Sequence, residues 1–318
     1  MKTQKLFLLI CGMIAMFTVS SCKKEKEEVP APPQLDEQTK QFNEDSNNYK
    51  TESDETDNDI NNALEEIPSF GRGAAIPSIL SSPLCGVTID SSQIAQKILF
   101  FNFDGITPCF SPSRTRSGQI KVQLTTGNLW SDAGSVLTIT YNDFKVTRMS
   151  DDASVKFNGV KTRKNINGNN WLGFLLGTST LKYQDRAFNI AVTFDNANAT
   201  WSVAHITEWS YAPATQNITF TAIGDTSLNG FSQVSAWGIN RFGQNFTTYY
   251  NTTILSNTYC GLWRPNSGEL VHHVNNSDFT LTLGVDQTGN ATTLDCAYGY
   301  KVAWTTTNGV AGSVILSY

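Results

Sequence analysis

Gln119-Ile120-Lys121-Val122-Gln123-Leu124-Thr125 places an apolar side chain at every second position, the period of a β-strand with one buried and one solvated face. The same alternation returns at Val136 to Val146, Ala187 to Phe194, Ile218 to Ile223, Phe231 to Ile239, Phe246 to Ile254, Phe279 to Val285, Tyr298 to Thr305 and Val314 to Tyr318. Between these runs stand Asn158-Gly159, Asn167-Gly168, Asn229-Gly230, Gly289-Asn290 and Asn308-Gly309. Asn-Gly supplies the positive φ angles of tight hairpin turns, so neighbouring strands are expected to be antiparallel. No stretch beyond residue 70 keeps a helical period long enough for a stable helix. The expected fold class is all-β over 85–318: an antiparallel meander, a sandwich or a strongly curved sheet. Ser117-Gly118-Gln119-Ile120 after Cys109 and Ser267-Gly268-Glu269-Leu270 after Cys260 recur at nearly the same offset. That echo would divide the region into two similar halves, 85–195 and 196–318.

Before this region the composition changes. The chain has 318 residues and a net charge of -5, but the net charge is +2 over 1–22, -8 over 23–84 and +1 over 85–318. A near-neutral β region without clustered Lys and Arg argues against nucleic acid as a partner. Residues 23–84 are rich in Glu, Asp, Asn, Ser and Pro, including Pro30-Ala31-Pro32-Pro33 and Thr51-Glu52-Ser53-Asp54-Glu55-Thr56-Asp57. Such a composition buries too little apolar surface to offset its ordering entropy, so a disordered tether is expected. Within it, Ile60, Leu64 and Ile67 fall at i, i+4, i+7, a transient helix over Asp57 to Ile67 that Pro68 would stop.

Lys2 and Lys5, the apolar stretch Leu6 to Thr18 and the small residues Val19-Ser20-Ser21 have the layout of a secretory signal. The apolar run is shorter than the ~20 residues a membrane-spanning helix needs. Cys22 directly after the small residues resembles the lipobox of bacterial lipoproteins, in which that Cys is acylated and becomes the first residue of the mature chain. The expected organisation is a signal peptide over 1–21, lipidated Cys22 and an acidic tether over 22–84, and a β domain over 85–318. Lys23-Lys24-Glu25-Lys26-Glu27-Glu28 is similar to the export signal of Bacteroidota surface lipoproteins; a merely solvated charge run is the alternative.

Cys85, Cys109, Cys260 and Cys296 remain in the exported region, and four cysteines allow three pairings. Proximity favours Cys85 with Cys109 and Cys260 with Cys296. With no CxxC pair, and with histidines at 205, 272 and 273 alone, neither a metal site nor a cofactor is expected.

Catalytic signals are thin. His205, His272 and His273 are the candidate bases of a Ser-His-Asp hydrolase, and none adjoins a G-x-S-x-G turn. His272-His273 falls on an expected strand, where adjacent side chains point to opposite faces. The β region carries two Glu, Glu208 and Glu269, beside turn-type Asp residues that ordinarily cap backbone groups. No residue is therefore assigned a catalytic role. Trp201, His205 and Trp209 would share one face of a strand while Glu208 points to the other. Together with Trp237 they are the candidate ligand platform, since Trp rings stack on flat ligands; core packing is the competing role. The closing Val314-Ile315-Leu316-Ser317-Tyr318 has the look of a last outer-membrane barrel strand, but a tethered exported domain with disulfides favours a final strand closing a sheet.

The stretches Cys85 to Asp90, Phe101 to Gly105 with Cys109, Arg114 to Val122, Gly134 to Tyr141 and Tyr298 to Val302 together resemble a group of Bacteroidota outer-membrane or surface lipoproteins without an established activity. The resemblance implies a compartment, the outer membrane of the cell envelope, and a β-rich exported domain. The expected function is non-catalytic binding of a ligand, glycan or envelope partner by a domain held to the membrane through its N-terminal lipid. The alternatives are a carboxylate-dependent hydrolase and a purely structural envelope component.

Overall fold

The structure, a computed structural model, describes residues 37–71, 84–110, 113–169, 171–262, 264–292, 296–305, 309 and 311–318. Cys22 and the signal segment lie outside the described residues. The period-two runs form β1 (Val87–Asp90), β2 (Ile98–Asp104), β3 (Cys109–Phe110), β4 (Ser113–Thr126), β5 (Val136–Arg148), β6 (Ser154–Asn165), β7 (Leu181–Phe194) and β8 (Ala197–Ala212). They continue as β9 (Asn217–Gly224), β10 (Thr226–Leu228), β11 (Phe231–Ile239), β12 (Asn245–Asn257), β13 (Ser267–Val274), β14 (Ser277–Val285), β15 (Gly299–Thr305) and β16 (Ala311–Ser317). All belong to one antiparallel sheet that follows chain order from β1 to β16, with β3 appended to β4. Between β8 and β12 one strand position is shared: β9 pairs the C-terminal part of β8, and β11 pairs its N-terminal part. The small β10–β11 hairpin interrupts that line at Asn229 and Gly230, whose φ angles of 52° and 87° are those of the expected tight turn.

The sheet curves because its strands are bulged side by side. Register shifts fall side by side at Ser117/Gln119, Tyr141/Phe144, Asn158/Lys161 and Ala187/Ile190 in the successive ladders from β4–β5 to β7–β8, and β4–β5 has a second at Leu124/Thr126. Each bulge bends its strand and increases the local twist. Gly118 is required in this row: at φ 88° a Cβ there would stand 2.2 Å from the Asp143 carbonyl oxygen. Asn158-Gly159, expected as a hairpin turn, instead forms the bulge within β6, because a positive-φ Gly serves a bulge as well as a turn.

The larger departure is α1 (Glu37–Glu66), thirty helical residues inside the segment expected to be a disordered tether. The short helix expected over 57–67 is its C-terminal end, and Pro68 follows its last turn. From Thr56 to Glu65 every residue except Asn58 is buried. At 100° per residue such a run spans all azimuths, so the sheet encloses this half of the helix. Val87 and Phe103 from one end of the sheet and Trp304 and Val314 from the other pack against the same core as Phe42, Tyr49, Ile60 and Leu64 of α1. The architecture is thus the curved sheet among the three expected forms, rolled around a helix.

Charge holds the helix as much as apolar contact does. α1 carries ten acidic residues against two lysines. Arg241 binds Asp45 at 2.6 Å, Arg114 reaches Glu52 at 3.3 Å and Glu55 at 3.2 Å, and Arg116 pairs with Asp59. At mid-helix Asp57 meets Lys161 and Arg163 of β6, which also hold Asp185 of β7. Burial works against both carboxylates; the cations overcome it at Asp185, which lies below the usual carboxylate range, and not at Asp57, which lies above it. Near the helix end Asn61 accepts a hydrogen bond from Trp130 Nε1 at 2.7 Å, and Asn169 donates to Glu65.

Cys85–Cys109 and Cys260–Cys296 are bonded, the pairing that proximity favours, with Cα separations of 5.4 and 5.3 Å. The first pins the approach to β1 onto β3, and the second joins the loops flanking β13 and β14. The sheet is unbroken at the boundary of the two expected halves: β7 and β8 pair from Leu181↔Trp209 to Phe194↔Ala197.

Candidate functional site

The expected platform is divided between the two faces of the sheet. Trp201, His205 and Trp209 do share one face of β8, as strand alternation requires, but that face is turned inward. Trp201 is 1% exposed and lies against Tyr49 and Phe42 of α1, with ring centroids 5.1 and 5.9 Å apart and planes within 16°. Trp209 is half-buried and packs on Phe220 of β9 at 4.7 Å. These two indoles are core, the role that competed with recognition in the sequence.

Trp237 differs. It sits opposite Ser202 on β11, so it projects from the outer face. There it meets Phe188 of β7 at 5.8 Å, edge to face. Phe188 is 65% exposed, and Ile239 beside it 44%. One row along the same face, Phe231 stacks on Tyr249 of β12 at 4.7 Å with planes 17° apart, and His273 of β13 lies 5.0 Å from Phe231. His273 Nδ1 is 2.6 Å from Asp278 Oδ1. Glu269, on the same face, accepts hydrogen bonds from Asn251 at 2.7 Å and Thr282 at 3.1 Å. Partial burial, then the nearby carboxylates of Asp278 and Glu269, raise the Tyr249 phenol above its ordinary pKa.

This cluster stands on a polar surface. Outward positions elsewhere carry Thr115, Gln119, Lys121 and Gln123 on β4, Thr138 and Thr140 on β5, and Lys156, Thr162 and Lys164 on β6. A lipid-facing barrel needs an apolar outer band, which these strands do not supply. Among the described residues no helix is long and apolar enough to cross a membrane.

The histidines follow the expected alternation: His272 is buried, with Nδ1 2.7 Å from Thr248 Oγ1, while His273 faces outward. Burial lowers His272 to about 3, and burial, resisted by Asp185 and Asp54, lowers His205 to about 4, so both rings are neutral near pH 7. Glu208 faces outward and binds Lys182 at 2.9 Å. Burial would raise its pKa, but hydrogen bonds from Lys182 and Thr180 hold it below the usual range, the opposite of what a glycosidase general acid needs.

Phe188, Phe231 and Tyr249 were not singled out in the sequence. Their signal is local: Phe188 precedes Asn189, whose φ of 54° marks the bulge, Phe231 follows the Asn229-Gly230 turn, and Tyr249-Tyr250 sends one ring to each face. Compared with known proteins, the chain matches no family model, no curated protein and no solved structure.

Proposed function

We propose that this is a binding protein of the bacterial cell envelope, held to the membrane by acylated Cys22, whose outer sheet face recognises a glycan without turning it over. The observation that carries the reading is the outer aromatic row: Phe231 stacked on Tyr249, His273 against them, and Phe188 with Trp237 alongside. Flat rings on a sheet bury the apolar faces of sugar rings with little loss of side-chain freedom. Asp278, Glu269 and Asn251 fringe the row with acceptors and donors for hydroxyl groups. An apolar cluster on an otherwise polar surface marks an interaction site. The secretory layout and Cys22 support the location; the absence of a basic excess supports a neutral partner over nucleic acid.

The test is affinity electrophoresis of the exported chain in gels containing neutral and acidic polysaccharides. At least one glycan is expected to retard the protein. Trp237→Ala or Tyr249→Ala should weaken that interaction by about tenfold, the loss of one stacking ring. Trp201→Ala should lower stability and leave the retardation of the folded fraction unchanged. Retardation by none of the glycans, or retardation indifferent to both outer-face substitutions, would overturn the reading.

A further inference from the structure

A cavity of about 70 Å³ lies between α1 and the sheet, where β8, β11, β12, β13 and β14 face Ser46 to Asp54 in the middle of the helix. One water needs ~10–15 Å³ in this measure, so the space takes roughly six atom-sized groups. Trp201, Val203, Ala236, Leu270 and Leu281 give it apolar walls. On the helix side stand Lys50 and Asp54, one turn apart and paired with each other. Their side chains are 42% and 30% accessible. An ammonium has three donors and a carboxylate about four acceptor positions, so both keep free capacity after pairing.

Tyr250 and His205 also line the cavity. The Asp185 carboxylate stands 3.7 Å from His205 Nε2. The cavity therefore presents an ammonium and a carboxylate side by side against an aliphatic wall.

We propose that this cavity binds a small aliphatic α-amino acid as its zwitterion. The carboxylate faces Lys50, the ammonium faces Asp54, and the side chain lies against Leu270 and Leu281. A ligand with one charge is disfavoured, because a lone carboxylate meets Asp54 and a lone ammonium meets Lys50. An apolar ligand would strip water from the ion pair without replacing its hydrogen bonds. A sugar ring exceeds the space, so this site is separate from the glycan face and on the opposite side of the sheet.

Isothermal titration of the whole exported chain with L-alanine, propionate and ethylamine tests the assignment. Alanine should bind saturably at one site. Propionate and ethylamine, each lacking one charged group, should bind at least about tenfold more weakly. Leu270→Trp, which fills the cavity, should abolish alanine binding while near-ultraviolet circular dichroism reports a folded chain. The proposal is overturned if alanine shows no saturable binding up to about 10 mM, or if propionate or ethylamine matches it. The comparison of ligands on the unaltered chain decides the matter even where Leu270→Trp does not fold.

Discussion

At the scale of single residues, the interior of this protein is held by charges that are costly to separate. Lys161 and Asp57 each keep about 1% of their side-chain surface exposed, and Arg163 and Asp185 complete the cluster. Removing one partner leaves an uncompensated buried charge, which costs about 3–5 kcal/mol. Lys161→Met is expected to destabilise the fold by that amount in urea unfolding, whereas Arg148→Ala, whose Asp151 partner is half exposed, should change stability by less than about 1 kcal/mol. Equal effects would contradict a buried role for Lys161. The inner histidines make stability depend on pH. Their folded pKa values, about 4 for His205 and about 3 for His272, lie below the value of ~6.5 in an unfolded chain. Below pH 6.5 the unfolded chain takes up protons that the folded one refuses, so this contribution is complete above pH 6.5 and is lost as pH falls towards 4. Each ring accounts for up to about 1.4 kcal/mol per pH unit. Asp45, Glu52, Asp57 and Asp59 work the other way, because their raised folded pKa values favour proton uptake by the native state. His272→Leu should make the urea midpoint fall less, or rise more, between pH 7 and pH 5 than it does in the unaltered chain. An unchanged pH dependence in His272→Leu would contradict the neutral, buried assignment.

At the scale of elements, strands and helix were not equally legible. The strands announce themselves because their buried face is apolar and alternates: Phe231–Ile239 appears with the bounds its pattern implies. α1 does not, because its core contacts Phe42, Tyr49, Ile60 and Leu64 are separated by charged and amide residues that are buried too. Its partners carried the missing signal. On β4, Arg114 and Arg116 fall in phase with Ile120, Val122 and Leu124, and on β6 Lys161 and Arg163 continue the inward face of Val155 and Phe157 beyond the bulge. Basic residues in phase with a buried face demand acidic partners inside, and the excess of -8 over 23–84 was their only large source. The candidate platform was misread for the same reason: without the helix, Trp201 has no neighbour to cover it. A chain starting at Cys85, the β domain as its sequence delimits it, therefore lacks its filling. It should show no cooperative thermal transition, while one starting at Pro33 should unfold in a single transition. A folded, cooperative chain from Cys85 onward would refute the structural role of α1.

At the scale of the molecule, one sheet rolled around an acidic helix presents two chemically different surfaces. Among the described residues, the inner one is an ion-paired core with a small cavity walled largely by apolar side chains; the outer one is a Thr- and Lys-rich face that carries an aromatic row. Two disulfides secure the strand connections, each worth about 3–4 kcal/mol in the loop-entropy model. The recognition proposed for the outer row depends on the roll, because Phe188, Trp237, Tyr249 and His273 come from four strands whose common outward face exists only when the inner face is filled. The account therefore rests on the helix being inside. Amide hydrogen exchange of the intact chain, followed over Thr56 to Glu65, tests this most directly. Those amides should exchange only through global unfolding, as slowly as the central strands β5 to β7. Exchange there within seconds, while the strands remain protected, would show the segment to be the loose tether its composition implies.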